Sequence, residues 1–317
     1  MWNAKIVAEE CDVIFSVGGD IYTIPKYILN KNKETKYSPI VEFGKTVLKY
    51  KPFVIWGASI GPFGDKKEVK EYYFNHLREV KQIFCREELT FNYLKNNNVI
   101  SNLQLCSDPA FYIKKINRSE EYPKSNKVRI ALNLSPLSIR EQIGENNISF
   151  IEQIVKTIKD LLTIPNTEIV LVPHVLSPLS EKDNDLIFLR NVYNSIPEAY
   201  AQSVSLLDTA KGFLGTKSFL KTCDIMIAAR MHCAINSVFE GVPTIFLTYS
   251  LKGLGMANYI YGDFKWAISL LDIEKELKNK TLDMLSSKEL ISEQIKKRIK
   301  EIKSDEARIV DLFRSLL

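Results

Sequence analysis

The stretch CDIMIAARMHCAINSVFEGVPTIFLTY, residues 223–249, decides how the rest of the chain is read. In CDIMIAA the run IMIAA is apolar without a two-residue alternation, which marks a strand buried on both faces. ARMHCAINSVFEG changes to helical spacing with small residues. Gly241-Val242-Pro243 stops that helix, and PTIFLTY is a second continuous apolar strand. Strand, helix, strand in this order makes a crossover unit, and crossovers of this length join parallel strands.

Parallel sheets bind ligands beyond the carboxyl ends of their strands. Arg230 and His232 follow the first of these strands directly, at the start of the helix. A helix N-terminus offers free N–H groups and partial positive charge to phosphate or carboxylate. A guanidinium can hold such a group with two parallel hydrogen bonds, and an imidazole exchanges a proton near neutral pH. Arg230 and His232 are therefore the candidate catalytic pair, and Met231 between them is counted as a substrate contact. The plainer reading is a surface ion pair and a satisfied histidine.

Outward from this unit the same grammar repeats. DVIFSV (12–17), FVIW (53–56), QIFC (82–85), LQLC (103–106), VRIALNL (128–134) and EIVLVP (168–173) read as further strands, with room for helices between them. The expectation is an α/β chain with doubly wound parallel sheets. The polar stretch KKINRSEEYPKSNK near 115–127 suggests a boundary. Residues 1–122 are read as a first domain, 123–285 as a second, and 286–317 as a C-terminal amphipathic helix. Ser149 with Glu152, and Ser286 with Glu289, fit capping boxes. The last helix carries the stripe Ile291, Ile295, Ile299, Ile302, Ile309 and Phe313. The first strand begins only twelve residues into the chain. A parallel strand wants neighbours, so one or two further strand–helix units are expected upstream.

Other strand ends also carry suggestive residues. SVGGDIYT (16–23) places Gly18, Gly19 and Asp20 past a strand, as a tight turn or a close approach to ligand. IWGASIGPFGD (55–65) is glycine-rich but lacks both the P-loop ending and GxGxxG spacing. Arg86 in REEL reads as an anion contact or as an ion pair with Glu87 or Glu88. Asp108 before Pro109 reads as turn chemistry. His174 in LVPHVLSPLSEKDND (171–185) stands past a strand, with Asp183 and Asp185 placed to orient a sugar. Lys252 in TYSLKG (248–253) offers charge to a phosphate. Too few ligands cluster at standard spacing to favour a metal.

The bulk properties set limits. The chain has 317 residues, a net charge of +5 and five cysteines, Cys11, Cys85, Cys106, Cys223 and Cys233, with no CxxC pair. Neither a disulfide framework nor a zinc site is indicated, and a reducing compartment is expected. Nothing clusters basic and aromatic residues as nucleic-acid binding requires. No signal peptide and no membrane span is visible.

The order of these segments resembles the polysaccharide pyruvyl transferase family. DVIFSVGGD, IWGASIGPFG, FCREELTFNYL, SDPAF, VPHVLSPLSEKDND and ARMHCAINSVFEGVPTIFLTYSLKGLG carry the resemblance over nearly the whole chain. The family's glycine-containing strand–loop upstream of the GGD loop has no counterpart here. The resemblance implies two Rossmann-like domains facing across a cleft, similar to GT-B glycosyltransferases, with the acceptor on the first and the donor on the second. It implies transfer of the pyruvyl group of phosphoenolpyruvate onto two sugar hydroxyls as a ketal, with no cofactor. Arg230 and His232 would meet the donor, and Arg86 would be a second donor-facing arginine. The implied acceptor is a cell-surface saccharide or its lipid-linked precursor. The expected location is the cytoplasm, with peripheral contact at the inner membrane face, and a homo-oligomer is a further expectation. The alternative is a GT-B glycosyltransferase or a nucleotide-sugar epimerase.

Overall fold

The computed structural model describes residues 3–19, 21–113, 122–143, 148–177, 180–207, 212–249 and 251–315. The chain forms two compact units, Met1–Ile113 with Glu301–Leu317, and Lys114–Lys300.

The first unit contains α1 (Ala4–Glu10), β1 (Ile14–Val17), α2 (Lys26–Leu29), α3 (Pro39–Val47), β2 (Phe53–Trp56), α4 (Lys67–Glu79), β3 (Gln82–Cys85), α5 (Glu88–Asn96) and β4 (Leu103–Leu105). The strands lie in chain order and every pairing is parallel. Their apolar runs are continuous because both faces are covered. Phe53, Ile55 and Ile83 join a core with Val41, Leu77 and Leu94 from the helices. Val54 and Phe84 point to the opposite face, against Ile309.

The second unit contains β5 (Val128–Asn133), α6 (Pro136–Ile143), α7 (Ile148–Leu161), β6 (Thr167–Leu171), α8 (Asp185–Asn194), β7 (Val204–Leu206), α9 (Gly212–Leu220), β8 (Ile225–Ala228), α10 (Met231–Phe239), β9 (Thr244–Thr248), α11 (Leu251–Tyr261), β10 (Ala267–Ser269) and α12 (Ile273–Ser286). Its parallel sheet has the order β10-β9-β8-β5-β6-β7. From β5 the chain builds outward to β7, returns to β8 beside β5, and builds the other way. The strand order therefore reverses between β5 and β8, the switch point of a doubly wound sheet.

The chain ends in α13 (Lys288–Ser304) and α14 (Glu306–Arg314). One terminal helix was expected, but it breaks around Asp305. The isoleucine stripe is buried as its spacing predicts, from Ile291 to Ile309. Phe313 of α14 packs edge-on to Phe15, Trp56 and Phe84, with ring centroids 5.2, 4.6 and 5.3 Å apart. The Ser286 capping box does not form: Ser286 ends α12, and its hydroxyl donates to the Asp283 carbonyl. The side chain of Ser149, and hence the other expected cap, lies outside the described residues. No helix among the described residues is long and apolar enough to cross a membrane.

Candidate functional site

The switch point brings three strand ends together through buried polar groups. Asn133, the last residue of β5, is fully buried. Its Oδ1 accepts the Arg230 backbone N–H at 2.9 Å, and its Nδ2 donates to the Val172 carbonyl at 2.9 Å. One amide thus ties the end of β8 to the extension of β6 across β5.

Asp185, the first residue of α8, completes the network. It is 0 % exposed. Its Oδ1 accepts from Arg230 Nε at 3.1 Å and Nη2 at 2.8 Å. Its Oδ2 accepts from the backbone N–H groups of His174 at 3.2 Å and Val175 at 3.0 Å. The Asn133 Nδ2 stands 3.4 Å from the same oxygen. Arg230 Nη2 also donates to the Asp183 carbonyl at 3.3 Å.

This geometry corrects two readings. Arg230 does not offer a two-nitrogen fork to a ligand, because Asp185 and the Asp183 carbonyl occupy Nε and Nη2. Among the described residues Nη1 has no hydrogen-bond partner, and the side chain is 13 % exposed. What remains for an anion is an end-on contact through Nη1. Asp185, for its part, is sealed inside and orients the arginine and the His174 loop, not a sugar. Asp183 is engaged too, with its carboxylate accepting from Arg140 at 2.6 Å.

Arg230 is the N-cap of α10, and its own side chain makes no cap hydrogen bond. Met231 and His232 form its first turn, both half-buried. His174 stands close enough for His232 and Arg230 to act on its charge. Burial, then His232 and Arg230, push the His174 pKa down to about 4. His174 is therefore a neutral imidazole at ordinary pH, able to hydrogen-bond but not to supply charge. Lys252 lies in the first turn of α11, and its side chain is outside the described residues. No cluster of three or more metal-ligating side chains occurs among the described residues.

A family model for polysaccharide pyruvyl transferases matches residues 2–250. The chain belongs to the polysaccharide pyruvyl transferase family. Solved structures agree on the fold. A trehalose-phosphate synthase from Burkholderia xenovorans, described as UDP-forming, superposes with a TM-score of 0.60 at 11 % identity, over 99 % of this chain and 76 % of its own. A putative UDP-N-acetylglucosamine 2-epimerase from Listeria monocytogenes gives 0.57 at 13 % identity, over 96 % and 76 %. The Methanocaldococcus jannaschii UDP-GlcNAc 2-epimerase, solved with UDP-GlcNAc and UDP, gives 0.57 at 12 % identity, over 89 % and 71 %. At such identities the likeness concerns fold alone: two Rossmann-like parallel sheets of the GT-B-like kind.

The remaining expected site residues of this pyruvyl transferase family member lie in the first unit. Gly18 and Gly19 follow β1 with φ of +64° and +76°, the left-handed region that favours glycine. The Gly18 N–H donates to the Trp56 carbonyl at 2.7 Å, and the Gly19 carbonyl accepts from the Ser59 N–H at 3.3 Å. The glycine pair thus ties its loop to the loop after β2. Asp20 lies outside the described residues. Arg86, past β3, is 1 % exposed. Its Nη1 donates to Asp108 Oδ2 at 2.8 Å, and its Nη2 to Ser59 Oγ at 2.7 Å. The ion pair weighed with Glu87 or Glu88 is made with Asp108 instead. Asp108 keeps its turn role as well, accepting from the Ala110 N–H at 2.9 Å. Arg86 thus holds the loops after β2 and β4 from inside.

Asn133 was not singled out in the sequence. Its one signal was an amide closing the apolar run Ile130-Ala131-Leu132. Asp185 was noticed for the wrong role, since a carboxylate in a polar loop looks solvent-facing until the strand order places it under Arg230.

Proposed function

We propose that this family member moves the pyruvyl group of phosphoenolpyruvate onto two hydroxyls of a saccharide, forming a cyclic ketal and releasing phosphate. The observation that carries the reading is Arg230 fixed at the switch point with Nη1 unengaged among the described residues, beside His232 and a neutral His174 near the N-terminus of α10. An anionic end of the donor would bind Nη1 and the N–H groups of α10. The methylene carbon takes a proton, positive charge develops at the central carbon, and a sugar hydroxyl adds there. A second hydroxyl then displaces phosphate and closes the ring.

His232 is assigned the proton transfer, a role that contributes about 10²–10⁴-fold. His174 and Met231 are assigned to holding the substrate. Lys252 is assigned to the phosphate, by its place in the first turn of α11. Gly18, Gly19 and Asp20 are assigned to the acceptor side, and Arg86 to shaping the loops around them. The acceptor is a cell-surface saccharide or its lipid-linked precursor, met on the cytoplasmic side of the membrane.

Incubation with phosphoenolpyruvate and a panel of glycans tests this. The expected result is phosphate release and a glycan heavier by one pyruvyl ketal. Replacing His232 by Ala should abolish both while leaving the fold intact; Arg230→Ala should abolish both and also lower stability, because the buried Asp185 loses its cation. The structural neighbours favour a second reading, a nucleotide-sugar glycosyltransferase or epimerase. Consumption of nucleotide sugars, with none of phosphoenolpyruvate, would establish it.

A further inference from the structure

Two large apolar side chains face solvent beside His174. Phe213, in the first turn of α9, is 42 % exposed. Its ring centroid lies 6.3 Å from that of His174, with the planes inclined by 60°. Leu176, two residues past His174, is also 42 % exposed. A lone exposed apolar residue means little. Phe213 is set apart by its place. The buried face of α9 is made by Gly215, Thr216, Lys217, Phe219 and Leu220, and Phe213 has no part in it. It stands at the carboxyl end of the sheet, against a histidine that neighbours Arg230 and His232.

The chemistry of the two substrates then assigns the ring. Phosphoenolpyruvate is small and charged at both ends, with no broad apolar face. A pyranose carries C–H bonds on its faces and hydroxyls around its rim. An aromatic ring beside neutral and cationic hydrogen-bonding groups matches that division. We propose that Phe213 is the platform on which a pyranose ring of the acceptor lies. Its C–H face meets the phenyl ring, and its hydroxyls turn toward His174 and His232. The second unit then contacts acceptor as well as donor.

This rests on the pyruvyl-transfer reading, and two measurements keep the two apart. In the first, Phe213→Trp protein is titrated with methyl glycosides of galactose, glucose and N-acetylmannosamine, without donor. A fluorescence change absent from the wild type is expected with at least one of them. In the second, turnover is measured with phosphoenolpyruvate and a saccharide that the wild type accepts. Phe213→Ala should raise the acceptor KM about two- to tenfold, as loss of one ring contact implies. The donor KM should stay unchanged, and Phe213→Tyr should restore the acceptor KM. Phe264→Ala, at another exposed aromatic (50 %), should change neither KM.

Turnover with an unchanged acceptor KM in Phe213→Ala overturns the platform and leaves pyruvyl transfer standing. A glycoside response in a protein that transfers no pyruvyl group sinks the reaction and keeps the platform. A response to uridine nucleotides alone overturns the platform in favour of a base-stacking role.

Discussion

Replacing Asp185 by Asn should damage this protein almost as much as removing the side chain. Both carboxylate oxygens are engaged by donors. Arg230 holds Oδ1 at 2.8 and 3.1 Å, and the N–H groups of His174 and Val175 hold Oδ2 at 3.2 and 3.0 Å. An amide turned either way sets N–H against N–H on one side. Asp185 is 0 % exposed, so water cannot repair the loss. Removing one member of a buried ion pair costs about 3–5 kcal/mol. Arg230 retains 13 % exposure, which places Asp185→Asn near the lower end, at about 3 kcal/mol. That is roughly a hundredfold in the folding equilibrium. Urea denaturation followed by circular dichroism measures it. The double variant Asp185→Ala with Arg230→Met removes the stranded charge together with its partner. It should be more stable than Asp185→Ala alone. A single Asn variant within about 0.5 kcal/mol of wild type, or a double variant that regains nothing, would refute this account of Arg230.

Stability should also depend on pH below neutrality. Burial pushes both His76 and His174 down to about 4. Between an unfolded pKa of 6.5 and that value the unfolded chain takes up protons that the fold refuses, so stability falls as pH drops from about 6.5 to 4. Melting temperatures across this range should show the slope, and His76→Leu should flatten it. Arg230→Lys should fold with near-normal stability but raise the phosphoenolpyruvate KM about tenfold or more, since one ammonium cannot both hold Asp185 and replace Nη1. Steady-state kinetics at saturating acceptor decide this, and an unchanged KM removes Arg230 from the donor site. Arg86→Leu removes the guanidinium paired with the fully buried Asp108 and should destabilise the first unit by about 3–5 kcal/mol. A melt indistinguishable from wild type would show that Asp108 does not depend on Arg86.

Much of the fold was legible because parallel strands buried on both faces read as unbroken apolar runs. All eight runs became strands. The two strands missed, β7 and β10, have three residues each and lie at the sheet edges, where VSL and AIS carry too little pattern to register. The break around Asp305 was hidden because the isoleucine stripe continues across it. At the site, residues directly past strand ends could be found from order alone. Their partners could not. Asp185 lies 45 residues from Arg230 in the chain, and Asn133 lies 97 residues away. Only the return of the chain to β8, beside β5, makes them neighbours.

That return also explains why Arg230 is held so firmly. At a switch point the flanking connections leave in opposite directions, and the strand ends between them lack a covering crossover. Such a crevice admits a ligand, but it also leaves backbone groups at the strand ends in need of partners. Asn133 and Asp185 supply them, binding the Arg230 N–H, the Val172 carbonyl and the His174 and Val175 N–H groups. The same carboxylate neutralises most of the guanidinium. With His174 neutral as well, this part of the site offers direction more than charge: one nitrogen of Arg230 aimed by a rigid frame, and the dipole of α10 behind it. A doubly anionic donor bound there would need further positive charge. On the proposed reading Lys252 is assigned that charge, by its place in the first turn of α11.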